Sequence, residues 1–149
     1  MRTTSDSLLP TAYCRLPTTK MPTLFSKIIA GEIPCHKVAE NDEFLAFLDI
    51  QPVAKGHVLV IPKTEVDYFF DLDDGVLGRI NLFARDVAKK IERVVPCKRI
   101  GVAIVGLEVP HAHVHLIPLN KISDISFTGE RLKMSAEELR ALAEEIAWA

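Results

Sequence analysis

Three histidines stand at alternate positions in an apolar stretch near the end of the chain. The sequence HAHVHLIPL over residues 111–119 contains His111, His113 and His115, three of the five histidines among 149 residues. Alternate side chains of a β-strand share a face, so these imidazoles would form a row with rings about 6.5–7 Å apart along the strand. The residues between them would then point into the core: Ala112, Val114 and Leu116.

Such a row is typical of two kinds of chemistry. Two histidines two residues apart on a strand can bind zinc, and His57 and Glu108 would be candidates for completing a metal centre. Alternatively, one imidazole is a nucleophile, because its pKa of about 6.5 leaves the ring largely unprotonated near neutral pH. A polar strand face without a task is disfavoured, since such positions favour β-branched and aromatic residues. Spacing alone leaves zinc and nucleophilic catalysis both open.

The composition limits the partners of such a site. A length of 149 residues with 48% hydrophobic and 26% charged residues indicates one globular domain. The formal net charge of −2 gives no overall attraction to nucleic acid or to a membrane surface. Three widely spaced cysteines argue against a disulfide framework and favour a reducing compartment.

The first 22 residues differ in composition from the rest. They are rich in Thr, Ser and Pro and contain little that could pack, so we expect residues 1–22 to be a disordered leader before a single domain over residues 23–149. Their three basic residues against one acid loosely resemble a transit peptide. The expected compartment is the cytoplasm, or the mitochondrion if residues 1–20 act as a targeting segment.

The elements that must position the histidines follow from periodicity and turn residues. We predict an α+β fold with helices packed on an antiparallel sheet, because the strands fall in pairs joined by short loops. The last helix would begin at a capping box formed by Ser135 and Glu138. The predicted elements are a helix over 24–31, a hairpin over 35–50 turning at Asn41 and Asp42, a strand over 57–62, a helix over 71–95, strands over 99–106 and 111–119, and a helix over 135–149.

Together with two upstream blocks, the triad resembles the histidine triad (HIT) family, in particular its nucleotide-binding branch. The blocks are TLFSKIIAGEIP at 23–34 and FLAFLDIQPVAKGHVLVIPK at 44–63, and the likeness extends over residues 23–119. It implies the antiparallel HIT sheet with a long central helix, a homodimer, and no required cofactor. It also implies hydrolysis or transfer at the α-phosphorus of AMP-like purine nucleotide derivatives through a nucleotidyl-histidine intermediate.

The resemblance also implies roles for individual residues. His113 matches the family nucleophile, His111 the residue that orients it, and His115 and His57 the residues that hold the phosphate oxygens. Asp49 matches the acid that binds the ribose hydroxyls. An apolar set matches the pocket around the base: Leu24, Phe25, Ile28, Ile33, Phe47 and Ile50.

Some positions depart from the family pattern. Leu107 and Glu108 stand where many relatives have a Gln followed by Ser or Thr, so the hydroxyl that touches the leaving group is missing. Thr23 and Ser26 replace the Cys-x-x-Cys of zinc-binding relatives, which argues against a structural zinc. Two alternatives therefore remain beside the enzyme: a nucleotide-binding regulatory or scaffold protein with little turnover, and a zinc hydrolase.

Overall fold

One five-stranded antiparallel sheet organises the chain, in the strand order β1-β2-β3-β5-β4. The structure is a computed structural model that describes residues 21–149, so the predicted leader lies almost wholly outside the described residues. The elements are α1 (Leu24–Ile29), β1 (Lys37–Glu40), β2 (Phe44–Leu48), β3 (Val58–Pro62), α2 (Asp74–Val94), β4 (Arg99–Ala103), β5 (Val114–Leu119) and α3 (Ala136–Trp148), with 3-10 turns at Phe69–Asp71 and Ile122–Ile125. The predicted α+β fold class is confirmed.

The sheet is apolar on both faces. Helices α2 and α3 cover one face, and their buried side chains form the main core with strand residues that include Ala112, Val114 and Leu116, as the alternation predicted. Helix α1 covers part of the other face, where a smaller cluster forms around Phe25 and Phe47. Within residues 21–149 no helix combines the length and apolar character needed to cross a bilayer.

The central helix α2 has the buried face that its periodicity predicted. Ile80, Ala84, Val87 and Ile91 are buried along it. It begins at Asp74, later than the predicted residue 71, because residues 69–71 form a separate 3-10 turn and Asp73 caps α2 by accepting from the Val76 N–H. It ends before Val95, since the following Pro96 disfavours helical geometry at the preceding residue.

Both strands near the histidines are shorter than predicted. Strand β5 begins at Val114 and not at residue 111, because its ladders with β3 and β4 extend no further than Val114 and His115. The Ala112 N–H, which lies beyond these ladders, donates to the Val66 carbonyl in a loop. Strand β4 correspondingly ends at Ala103 and not at residue 106.

The remaining elements agree with the sequence apart from small shifts at their ends. Asn41 forms the predicted hairpin turn by accepting from the Glu43 and Phe44 N–H groups. Ser135 and Glu138 form the predicted capping box of α3. Helix α1 ends at Ile29 and not at residue 31, because the chain leaves the helix through Gly31, whose φ of 77° lies in the left-handed region.

A tight turn before β3 places His57 at the centre of the sheet. Gly56 has a φ of 87°, and a Cβ atom there would lie 2.9 Å from Val95 Cγ2 and 3.2 Å from Pro118 Cγ. A side chain at this position would be strained by its backbone conformation and by contact with the core. The approach of α2 and β5 to the turn therefore depends on glycine.

Replacing this glycine should destabilise the protein without removing any functional group. We expect Gly56→Ala to lower the free energy of unfolding by about 1–3 kcal/mol, measured by urea denaturation. The matched control is Gly78→Ala on α2, where an added Cβ meets nothing within 4 Å. That change should be neutral or stabilising by up to about 1 kcal/mol, because alanine favours the helix. Equal effects of the two changes would contradict this interpretation of Gly56.

Candidate active site

The three triad histidines lie inside the protein and not on a solvated strand face. His111 is 0% exposed, His113 6% and His115 8%. His111 and His113 stand in the extended segment before β5, and His115 is the second residue of that strand. The ring centroids of His113 and His115 are 4.8 Å apart, closer than regular strand spacing gives.

Backbone carbonyls assign the protons of His111 and His113. His113 Nδ1 lies 2.7 Å from the His111 carbonyl oxygen, and His111 Nε2 lies 2.8 Å from the Pro62 carbonyl oxygen. A carbonyl oxygen only accepts, so each of these nitrogens carries a hydrogen and donates it. In the neutral His113 ring the other nitrogen, Nε2, therefore carries a lone pair.

The side chain of His57 determines which nitrogen of His115 carries the hydrogen. The Val53 N–H donates to His57 Nδ1 at 3.2 Å, which leaves the hydrogen of the neutral ring on Nε2. His57 Nε2 then donates to His115 Nδ1 at 2.9 Å, and the hydrogen of His115 lies on its own Nε2. The His113 ring, whose Nε2 has a lone pair, thus packs against the His115 ring, whose Nε2 carries a hydrogen and can donate it.

Burial keeps the His57–His115 pair neutral. Burial, followed by the charge of His115, lowers the pKa of His57 to about 3. Burial is the main cause that lowers the pKa of His115 to about 4, and the charge of His113 is the next. The hydrogen-bonded tautomers are therefore the resting state across the neutral pH range.

A cavity of about 340 Å³ opens beside His113 and His115. Its volume falls within the range of small-ligand pockets. Every residue predicted for nucleotide binding lines it: Leu24, Phe25, Ile28, Ile33, Phe47, Asp49 and Ile50. His57 and His111 do not line it. His57, fully buried, lies behind two residues that line the cavity, His115 and Asp49.

Asp49 lines this cavity and is partly buried. Its Oδ1 accepts from the Gln51 N–H at 2.9 Å, and its Oδ2 lies 3.7 Å from His57 Nδ1. Burial raises the pKa of Asp49 above its ordinary value. The carboxyl group is therefore partly buried and lines the cavity, where it can accept from a ligand.

Two side chains near the histidines were not predicted. Phe127 lies with its ring centroid 4.8 Å from that of His115, and the Arg131 guanidinium carbon lies 5.7 Å from the Phe127 ring centroid. Both belong to the irregular segment between β5 and α3, beyond the stretch that carries the sequence motifs. Periodicity gives no signal for such a segment.

Hydroxyl groups occupy the positions where zinc-binding relatives have cysteines. Thr23 Oγ1 lies 3.1 Å from His111 Nδ1 and caps α1 by accepting from the Ser26 N–H at 3.0 Å. The Ser26 hydroxyl donates to Glu65 Oε2. The cluster links α1, which carries Phe25, to the first triad histidine. Neutral hydroxyls are not among the usual zinc ligands.

Unlike the hydroxyl cluster, three side chains near the cavity have atoms that could bind a metal ion. Asp49, His57 and His115 each bring one ligand atom within 4.8 Å of the others. However, both nitrogens of His57 and Nδ1 of His115 already take part in hydrogen bonds with Val53 or with each other. A metal bound by these histidine nitrogens would have to displace those hydrogen bonds.

Comparisons with known proteins show which family the sequence resembles. A family model described as the HIT domain matches residues 30–122. The chain is 38% identical over 130 residues to the adenosine 5′-monophosphoramidase hnt1 of Schizosaccharomyces pombe, covering 85% of this chain and 97% of that protein.

Solved structures share the fold. A HIT-like protein of Bartonella henselae, described as involved in cell-cycle regulation, superposes with a TM-score of 0.73 at 30% identity, covering 85% of this chain and 94% of that one. A zinc-bound histidine triad family protein of Mycobacterium smegmatis superposes with a TM-score of 0.70 at 27% identity, covering 83% and 92% of the two chains.

Proposed function

The chain belongs to the HIT family, and on this basis we propose that it hydrolyses or transfers the nucleotidyl group of AMP-like purine nucleotide derivatives. The observation that carries the proposal is the hydrogen bond from His113 Nδ1 to the His111 carbonyl, which leaves a lone pair on Nε2 of a ring that lines the cavity next to His115. Resemblance to an adenosine 5′-monophosphoramidase at 38% identity supports adenosine as the nucleoside.

In the proposed reaction His113 Nε2 attacks the α-phosphorus. The Nε2–P bond forms as the bond from phosphorus to the leaving group breaks, and the leaving group takes up a proton from solvent as it departs. The ring becomes cationic, and its Nδ1–H remains bonded to the His111 carbonyl, which also accepts from the charged form. Water then attacks phosphorus, the N–P bond breaks, the attacking water loses a proton to solvent, and AMP leaves with His113 neutral again.

The neighbouring groups would bind the substrate. His115 donates from Nε2 to a phosphate oxygen, and the buried His57 fixes the proton that makes this possible. The family resemblance predicts that His57 also holds a phosphate oxygen directly; in the structure its Nε2 is engaged by His115. Asp49 accepts from the ribose hydroxyls, and the apolar wall around Phe25 and Phe47 surrounds the base. This reaction needs no cofactor.

Release of AMP from adenosine 5′-phosphoramidate by the purified protein tests the proposal. We expect turnover that is insensitive to a chelator, with less than one equivalent of metal in the active protein. Turnover that is lost on chelation and restored by zinc would instead support the zinc hydrolase. Binding of AMP without any release of product would support the second candidate.

That second candidate is a nucleotide-binding regulatory or scaffold protein. The observation in its favour is the pair Leu107 and Glu108, which offers no hydroxyl for the leaving group and points largely to solvent. On this alternative the histidine row binds phosphate, and the same assay gives affinity for AMP with no catalysis.

A homodimer is also part of the proposal. Strand β4 is an edge of the sheet, and it and the following loop expose Val102, Ile104 and Val105. An exposed apolar edge strand is a ready surface for pairing with a second copy. We expect Val102→Glu to shift the protein towards monomer in sedimentation experiments, whereas Ile122→Glu, on an exposed turn, should not. A wild-type chain that is monomeric at all concentrations would contradict this.

A further inference from the structure

A continuous row of rings extends from the apolar cavity across the triad. The Phe25 ring contacts that of His113 at 5.2 Å between centroids, and His113 contacts His115 at 4.8 Å. His115 contacts Phe127 at 4.8 Å, and Phe127 carries the Arg131 guanidinium over its ring at 5.7 Å. The row thus begins at the apolar wall and ends at a cation.

The cation is held by long contacts. Arg131 Nη1 donates to the Gln51 carbonyl at 3.4 Å and Nη2 to the Phe127 carbonyl at 3.5 Å, both longer than an ordinary hydrogen bond. Nη2 also lies 4.0 Å from Oε1 of Glu108, whose side chain is 86% exposed. A guanidinium with five donors in such a setting can exchange these contacts for a planar anion.

The charge of Arg131 reaches the histidines. Burial is the main cause of the lowered pKa of His115, and the positive charge of Arg131 contributes to it. The same holds for His57, whose lowered pKa has burial as its main cause and Arg131 among the others. An anion bound beside Arg131 would therefore interact with this charge.

We propose that Arg131 is a specificity-determining residue for the leaving group and selects leaving groups that carry a negative charge. The inference rests on the proposed function. With the nucleoside at the Phe25 end of the row and the α-phosphorus at His113, a substituent that extends from phosphorus along the row meets Phe127 and then Arg131. The anionic leaving group displaces Glu108 as the counter-ion of Arg131. Glu108 stands where many relatives have a hydroxyl residue, and here it takes part in selecting leaving groups by their charge.

Arg131 binds in this scheme and does not react. In a phosphoramidate the P–N bond breaks as the His113 N–P bond forms, and the departing amine takes up a proton. The guanidinium keeps its protons throughout and only contacts the anionic end of the amine. A change at Arg131 should therefore alter the preference between leaving groups and leave the covalent chemistry unaltered.

The test uses a matched set of adenosine 5′-phosphoramidates. Their amines are β-alanine, propylamine and ethylenediamine, which have similar length and end in an anionic, a neutral and a cationic group. We expect wild-type kcat/KM to be highest for the β-alanine compound. Arg131→Gln should lower the ratio of kcat/KM for β-alanine over propylamine about fivefold, since one partly exposed charge contact is lost. Arg131→Lys should retain most of the ratio.

A remote arginine provides the control. Arg140 lies on α3, 3.9 Å from Glu137, and Arg140→Gln should leave the ratio at its wild-type value. Glu108→Gln should raise the ratio, because it removes the competing carboxylate. The ratio should also fall as salt is added to the wild-type protein. A ratio that does not change in Arg131→Gln, or kcat/KM values that fall equally for all compounds, would overturn the inference.

Failure of the proposed function would be visible separately. It would show as no release of AMP by the wild-type chain from any of the compounds. In that case titration calorimetry with the same compounds still reports the preference as a ratio of dissociation constants. An unchanged affinity ratio in Arg131→Gln would overturn the role of Arg131 on that basis.

Discussion

His113→Ala should reduce AMP release by at least about a thousandfold, because it removes the group that forms the bond to phosphorus. A brief pulse of adenosine 5′-phosphoramidate, quenched with denaturant at alkaline pH, where the His N–P bond survives, and analysed by intact mass, should show an added nucleotidyl group on the wild-type chain. Peptide mapping should place it on His113, and the variant should show none. AMP should still bind to the variant, since the cavity wall is unchanged.

A matched histidine outside the cavity is available as control. His36 lies before β1 and is partly buried, and His36→Ala should form the adduct as the wild type does. An adduct on His115 or His57 in the wild-type chain would contradict the assignment of the nucleophile. So would an adduct that persists in His113→Ala.

Stability should fall steeply in mild acid, because two buried histidines are held neutral. Burial lowers the pKa of His57 to about 3 and that of His115 to about 4. The unfolded chain binds protons at both positions below about pH 6.5, whereas the folded chain does not until about pH 4. Their contribution is complete above pH 6.5, and we expect a loss of about 1.4 kcal/mol per pH unit for each histidine as the pH falls towards 4.

Urea denaturation at a series of pH values measures this slope. Asp49 acts in the opposite direction at the acid end, since burial raises its pKa and its protonation favours the folded chain. A double variant, His57→Gln with His115→Gln, should have a flatter profile between pH 6.5 and 4, while His36→Gln should retain the wild-type slope. A double variant with the wild-type slope would show that other groups control the acid transition.

Local patterns predicted much of the fold. The alternation in HAHVHLIPL correctly assigned Ala112, Val114 and Leu116 to the core, and the period of α2 correctly assigned its buried face. The start of β5 was wrong, because a strand extends only where its neighbours continue to pair with it. That depends on where β3 and β4 end, which is not encoded near residue 111.

The sequence predicted the residues of the candidate site that belong to recognisable motifs. All the residues expected around the nucleotide line one cavity. The contact between His57 and His115 joins positions 58 residues apart, and sequence spacing says nothing about which of their nitrogens meet. Phe127 and Arg131 were missed because an irregular segment carries no periodicity that would assign a face to either residue.

The backbone controls the protons of His111 and His113, since the groups that set them are the carbonyls of Pro62 and His111. In sites where a carboxylate orients the histidine, one substitution removes the control. Here no exchange of a neighbouring side chain deletes the carbonyl that sets the proton of His113. Chemistry and selectivity are therefore separable in evolution: the cavity wall and the mouth can change to suit new substrates while the fold itself keeps the nucleophile in the reactive tautomer.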